Sequence, residues 1–139
     1  MSLDMGIEKQ RELEEIAREY ELKLLILLGS YDTPFFQEKE SDIDLAFLSS
    51  KKMSVDEKLR LLQDLSSFFQ HEKIDLIDLT RASGLMKYEV ATKGRLLFES
   101  NEDFFKKYTL YCLRYYYDTK KFRQLKKEQF KDQLGVLQE

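Results

Sequence analysis

The fold of this chain is decided by three segments: LLILLGSY at residues 24–31, SDIDLAFL at 41–48 and KIDLIDL at 73–79. The first segment is an almost continuous apolar run that ends at Gly29, which is typical of a strand buried on both faces and followed by a turn. The other two are short apolar segments that carry aspartates. Together they predict strands at Leu22–Leu28, Asp42–Leu48 and Ile74–Leu79.

Segments with helical periodicity surround these strands. Ser54 and Glu57 have the spacing of a capping box, which marks the start of a helix. Pro34 cannot continue a strand ladder or lie inside a long helix, so we expect Ser30–Glu40 to be a loop with at most one helical turn. The periodicity predicts helices at Ile7–Tyr20, from Ser54 to Phe69 and from Leu85 to Gly94, and an edge strand at Leu96–Phe98.

The C-terminal part of the chain is predicted to be helical. Aromatic and apolar residues recur every three or four positions from about Asp103 to Lys131, which indicates one long helix or two helices with a break near Asp118-Thr119. The alternation of helices and short strands before it favours an α/β layer fold of the α+β type, although strand order cannot be predicted. We expect a core domain at residues 1–100 and a helical extension at 101–139 packed on the same domain.

Composition excludes several classes of protein. The 139 residues suit one compact domain, and a net charge of -3 gives no overall attraction to nucleic acid. The longest apolar stretch is far shorter than the ~20 residues of a membrane-spanning helix. Cys112 is the only cysteine and His71 the only histidine, so neither a disulfide nor an ordinary zinc site is expected. We therefore predict a cytoplasmic protein and leave self-association open.

Two aspartates on one strand predict a binding site for divalent cations. Strand alternation places Asp42 and Asp44 on the same face as Ala46, about 6.6–6.8 Å apart at Cα, and opposite to Ile43, Leu45 and Phe47. Asp75 on another strand could complete the cluster. Carboxylates without nearby histidine or cysteine favour Mg²⁺ or Mn²⁺ over zinc. Taken alone, an Asp-x-Asp pair is also typical of solvated turn residues.

Gly29-Ser30 predicts a phosphate-binding turn. A glycine directly after a buried strand lets the backbone approach a phosphate, and a hydroxyl and main-chain N–H groups can donate to its oxygens. A lone Gly-Ser would more often be an ordinary strand-ending turn. The order Gly-Ser, Asp-x-Asp and a later strand acid is what makes the pattern informative.

The three segments resemble the minimal nucleotidyltransferases of the DNA polymerase beta superfamily, including those encoded as antitoxins beside HEPN-domain toxins. The resemblance covers about Leu22 to Phe98. It implies a polymerase beta-like fold, in which a small mixed sheet is flanked by helices, followed here by a long C-terminal helical segment. It also implies that Gly29 and Ser30 bind nucleotide phosphate, that Asp42, Asp44 and Asp75 form the catalytic site and hold two Mg²⁺ ions, and that Asp75 helps to remove the acceptor's proton.

The resemblance implies transfer of a nucleoside monophosphate, AMP from ATP, to a hydroxyl acceptor. In the antitoxin members the acceptor would be a tyrosine of a HEPN-type toxin. The competing hypothesis is a catalytically degenerate module that binds and neutralises a partner protein without chemistry. A third is an aminoglycoside-modifying enzyme, for which this chain is short.

Other polar residues are interpreted as structural. Strand alternation turns Asp78 away from Asp75, and His71 is interpreted as a surface residue between a helix and a strand. Cys112 falls on the apolar stripe of the C-terminal helix and is expected to be a packed thiol. The basic residues of the last segment are interpreted as a solvated helix face or a docking surface for an acidic partner or RNA.

Overall fold

The computed structural model describes residues 6–29, 31, 37 and 41–138, with side chains as far as residue 133. Five helices, a short 3₁₀ turn and four strands follow one another in these ranges. In chain order they are α1 (Ile7–Glu19), β1 (Leu22–Leu28), β2 (Ile43–Ser49), α2 (Val55–Phe69), β3 (Ile74–Asp78), the 3₁₀ turn (Leu79–Arg81), α3 (Gly84–Lys93), β4 (Arg95–Glu99), α4 (Phe104–Asp118) and α5 (Lys120–Gln138).

The four strands form one mixed sheet in the order β3-β2-β1-β4. β1 pairs with β2 and with β4 in antiparallel fashion, whereas β2 and β3 are parallel. A parallel pair needs a crossover, and α2 provides it. The mixed sheet with its helices confirms the predicted fold class, and the order of the strands is the part that the sequence left open.

The sheet separates two helical layers, because alternate side chains of each strand point to opposite faces. On one face, Leu25 and Leu27 of β1 pack with α1 and α2. On the other face, Leu24 and Ile26 pack with α3 and α4, where Cys112 is fully buried as predicted. In β2 the alternation is also as predicted, with Ile43, Leu45 and Phe47 in the first layer and Ala46 in the second.

Local signals set the helix ends. Ser54 and Glu57 form the predicted capping box at the start of α2, with the Ser54 hydroxyl accepting from the Glu57 N–H. The break between α4 and α5 falls at Thr119, as expected.

No helix in the parts of the chain that the structure covers is long and apolar enough to cross a membrane. The boundary between a core at 1–100 and an extension at 101–139 stays a prediction.

Candidate active site

The predicted aspartates meet at one end of the sheet. Asp44 and Asp75 are register partners in the parallel pair of β2 and β3, so they occupy neighbouring positions on adjacent strands. Asp42 lies just before β2 and is exposed, as is Asp75, whereas Asp44 is half-buried. The parallel pairing therefore joins an acid of the segment at 41–48 to an acid of the segment at 73–79.

Asp44 is the electrostatic centre of this group. Burial raises the pKa of the Asp44 carboxyl, and the negative charges of Asp75 and then Asp42 raise that pKa further. The negative charges of Asp42 and Asp75 disfavour the ionised form of Asp44. In the described part of the chain, every cause that acts on the Asp44 carboxyl raises its pKa, so a bound cation there would favour the ionised form.

Gly29 brings the backbone into contact with Asp44. Its φ of +77° lies in the left-handed region, which side chains other than glycine rarely adopt. A Cβ added at Gly29 would lie 2.5 Å from Oδ2 of Asp44. Only glycine can follow β1 here without moving the carboxylate. Gly29 of the predicted turn therefore packs directly against Asp44 of the predicted acidic strand.

A cavity of about 370 Å³ opens beside these residues. It is lined by Leu28, Gly29, Asp44, Asp75, Ile77, Met86, Glu89 and Lys93. The last three belong to α3, and Lys93 forms an ion pair of 3.2 Å with Glu89. Sequence reasoning missed them. Their helical spacing placed Glu89 and Lys93 on one side of a helix, but it could not show that this side faces the aspartates.

Two described residues of the connection between β1 and β2, Tyr31 and Ser41, contact side chains from elsewhere in the chain. The Arg95 guanidinium donates to the Tyr31 carbonyl oxygen, and the Tyr31 ring lies edge-on to Phe69 at 5.6 Å between centroids. His71 lies between α2 and β3 as predicted, but it is half-buried and contacts the Ser41 carbonyl. The predicted phosphate ligand Ser30 and the predicted loop Ser30–Glu40, apart from Tyr31 and Gln37, lie outside the described residues.

The donor set suits the predicted Mg²⁺. In the described ranges no three carboxylate, imidazole or thiol side chains converge as a preformed cage for an ion. Asp42 and Asp75 are nevertheless close enough to Asp44 to raise its pKa, and a divalent cation would relieve that repulsion. Oxygen ligands of this kind fit Mg²⁺ or Mn²⁺.

Asp78, the other aspartate of β3, is a structural residue. Burial raises its pKa, but hydrogen bonds from the Thr80 hydroxyl, at 2.7 Å, and the Thr80 N–H, at 3.0 Å, outweigh burial. The Lys58 ammonium adds an ion pair of 3.1 Å, so the pKa of Asp78 is lowered overall. This carboxylate stabilises the end of β3 and the 3₁₀ turn after it.

We expect Asp78→Asn to reduce the free energy of unfolding by about 0.5–1 kcal/mol at neutral pH, because the ion pair with Lys58 is lost while the bonds from Thr80 persist. A carboxyl with a lowered folded pKa stabilises above its unfolded pKa of about 3.9, and this contribution is lost as pH falls through the folded pKa. Urea unfolding at several pH values should show the difference between the two proteins disappearing as pH falls through the folded pKa of Asp78. An undiminished difference there would contradict the assignment.

Comparison with known proteins finds a family model and a relative that match this chain. Residues 11–103 match the family model described as polymerase beta, nucleotidyltransferase. The protein adenylyltransferase MntA of Shewanella oneidensis is 34% identical over 82 residues, which cover 59% of this chain and 58% of that relative. The alignment with this curated relative therefore spans less than two thirds of its length.

Solved structures show the same fold. A chain from the crystal structure of a toxin–antitoxin with AMP-PNP is 25% identical, with a TM-score of 0.70 over 87% of this chain and 97% of that one. A chain from the complex of tri-AMPylated Shewanella oneidensis HEPN toxin with MNT antitoxin is also 25% identical, with a TM-score of 0.67 over 91% and 98%. Since the family model covers more than half of the sequence, this chain belongs to the polymerase beta nucleotidyltransferase family.

Proposed function

We propose that this protein transfers AMP from ATP to a tyrosine of a HEPN-type toxin and thereby acts as its antitoxin. The observation that carries the proposal is the contact between the Gly29 backbone and Asp44, with Asp75 beside it at the mouth of one cavity. The similar MntA is named a protein adenylyltransferase, and a similar structure contains AMP-PNP. A cytoplasmic location fits a reaction that uses ATP.

Each residue has a role in this proposal. The backbone at Gly29 and the hydroxyl of Ser30 bind the phosphates of ATP, since a left-handed glycine allows close approach. Asp42, Asp44 and Asp75 hold two Mg²⁺ ions, or Mn²⁺ in their place. Bound there, the ions would lower the pKa of the acceptor hydroxyl and neutralise charge on the leaving pyrophosphate.

Asp75 accepts the proton in this proposal, as the family resemblance implies. Its side chain is exposed, as is that of Asp42, whereas Asp44 is half-buried, so an acceptor arriving from solvent can reach the Asp75 carboxylate. The tyrosine oxygen forms a bond to the α-phosphorus as the bond to pyrophosphate breaks, and the phenolic proton passes to the Asp75 carboxylate. The products are an AMP-tyrosine ester and pyrophosphate.

The experiment measures transfer of labelled AMP from α-labelled ATP, with Mg²⁺, onto a purified HEPN-type toxin. Label on the toxin that is lost in Asp42→Asn/Asp44→Asn, and in a toxin lacking its acceptor tyrosine, is the expected result. A folded protein that neutralises the toxin without transferring label would instead establish a module that acts by binding alone.

We further propose that α5 contacts the toxin. Among its described side chains, up to residue 133, none is buried, and Phe122, Leu125 and Phe130 are 60%, 56% and 62% exposed. The same stretch is mainly basic, with Lys120, Lys121, Arg123, Lys126, Lys127 and Lys131 against Glu128 and Asp132. An apolar stripe beside basic charge suits an acidic partner surface with an apolar centre.

Phe122→Asp/Phe130→Asp is expected to weaken toxin binding at least tenfold, because exposed aromatic residues supply much of the energy of protein interfaces. The unfolding free energy should change little, since both side chains are already exposed. Calorimetric titration with the toxin measures the affinity. The matched control is Leu59→Asp on α2, 53% exposed in the helical layer of the other sheet face. Equal affinities for all variants would exclude α5 as the contact surface.

A further inference from the structure

His71 makes a hydrogen bond to the backbone beside the candidate site. Its Nε2 lies 2.8 Å from the carbonyl oxygen of Ser41, the residue before Asp42. A carbonyl oxygen can only accept a hydrogen bond, so Nε2 must carry a proton and donate it. The His71 imidazole is therefore the hydrogen-bond donor to the Ser41 carbonyl oxygen.

The backbone of His71 is itself fixed to the end of α2. Its N–H donates to the Ser66 carbonyl at 3.1 Å, and its own carbonyl accepts from the Ser66 hydroxyl at 2.7 Å. Gln70 turns the chain here with a φ of +52°. Because both peptide groups of His71 are bonded to the helix, the ring projects from a rigid support.

Hydrogen bonds hold the backbone on both sides of Asp42, and the bond from His71 is one of them. On one side of Asp42, Ser41 is held by His71 through its carbonyl and by Gln37, whose carbonyl accepts from the Ser41 N–H at 2.7 Å. On the other side, the Ile43 N–H donates to the Lys73 carbonyl at 2.8 Å. The hydrogen bond from the imidazole to Ser41 lies just beyond the bond between Ile43 and Lys73. It therefore continues the pairing of β2 and β3 where the two strands have ended.

We propose that His71 is a positioning residue, which fixes the backbone of Asp42 so that its carboxylate stays next to Asp44. The proposal rests on the proposed function for its link to metal and nucleotide. Asp42 is exposed and precedes the strand, so the sheet alone does not fix it, whereas Asp44 and Asp75 are fixed by their pairing. Of the three carboxylates, Asp42 is the one that needs a support of this kind.

Three substitutions of His71 test whether the hydrogen-bond donor is what matters, rather than the imidazole ring as such. His71→Gln keeps a donor N–H near the position of Nε2, His71→Asn carries its donor on a shorter side chain, and His71→Leu removes the donor. We expect the Ile43 amide of the metal-free protein to exchange about three- to tenfold faster in the Leu and Asn variants, the factor expected for one ordinary hydrogen bond. The Gln variant should remain close to wild type. Amides of Leu25 and Leu27 in β1 report on global opening and should not change.

Binding of Mn²⁺ alone, measured by calorimetry, gives the second readout. We expect about tenfold weaker binding in the Leu and Asn variants, the lower end of what supporting residues of metal sites contribute, and recovery in the Gln variant. Equal exchange and equal Mn²⁺ affinity in all variants would overturn the proposal, and so would equal losses in all three. Exchange that follows the donor while the wild type transfers no AMP would support positioning by His71 and reject the proposed function.

Discussion

Asp44→Asn is expected to reduce AMP transfer by about 100- to 1,000-fold, the range observed when one preorganised electrostatic group is removed from an active site. The same substitution should make the metal-free protein more stable, by a few tenths to about 1 kcal/mol. The reason is that Asp44 is half-buried beside Asp75 and Asp42, and its raised pKa reflects a charge that burial and its neighbours disfavour. Loss of activity with a gain in stability is characteristic of a residue kept for function.

Single-turnover transfer of labelled AMP and urea unfolding in the presence of a chelator measure the two effects. Asp78→Asn is the matched control, because it changes the same functional group in the same sheet. It should leave transfer intact and lower stability, since Asp78 is bonded to Thr80 and Lys58. If Asp44→Asn retained transfer, or lost it only together with stability, the central electrostatic role of Asp44 would be refuted.

Gly29→Ala is the second substitution with a large expected effect, on both stability and transfer. The left-handed backbone at φ +77° costs about 1–2 kcal/mol for a residue with a Cβ. The Cβ would also lie 2.5 Å from Oδ2 of Asp44, an overpacking that costs about 1–3 kcal/mol. Relief of that contact moves the carboxylate, so we expect transfer to decrease about 100-fold, as it does when groups remote from the chemistry shift reacting atoms by about 1 Å.

A double-mutant cycle separates the two costs of Gly29→Ala. In an Asp44→Ala background the nearest atom to the added Cβ is the Cβ of residue 44, 3.6 Å away, which is an ordinary van der Waals contact, so the overpacking cost should vanish and the backbone cost should remain. Gly6→Ala controls for glycine replacement in general, since its φ is -63° and nothing lies within 4 Å of the added Cβ. Additive costs at residues 29 and 44 would show that the two residues do not constrain each other.

Features encoded over a few residues were predictable from the sequence. The capping box of Ser54 and Glu57 and the helix break at Thr119 depend on neighbours within one or two turns, and both are confirmed. Period-two alternation also separated Ile43 and Leu45 from Ala46 correctly, because one strand carries all the information needed. Local geometry is sufficient for such assignments.

Features that depend on pairing between distant segments were not predictable from periodicity. Asp75 meets Asp44 because β3 is parallel to β2, and neither strand encodes its partner or direction. Glu89 and Lys93 reach the cavity because α3 packs on one particular face of the sheet. His71 was interpreted as a surface residue, since a lone histidine in a polar turn carries no signal of the carbonyl that it contacts 30 positions earlier.

The position of β3 at the edge of the four-stranded sheet has a consequence for solubility. An edge strand presents unpaired backbone groups that can recruit the strand of another molecule, and charged side chains on the edge oppose such pairing. β3 is only five residues long, and it carries Asp75 and Asp78 among isoleucine and leucine. The carboxylate proposed to take up the acceptor's proton therefore also protects this edge against aggregation, so variants that neutralise Asp75 should be handled as aggregation-prone proteins.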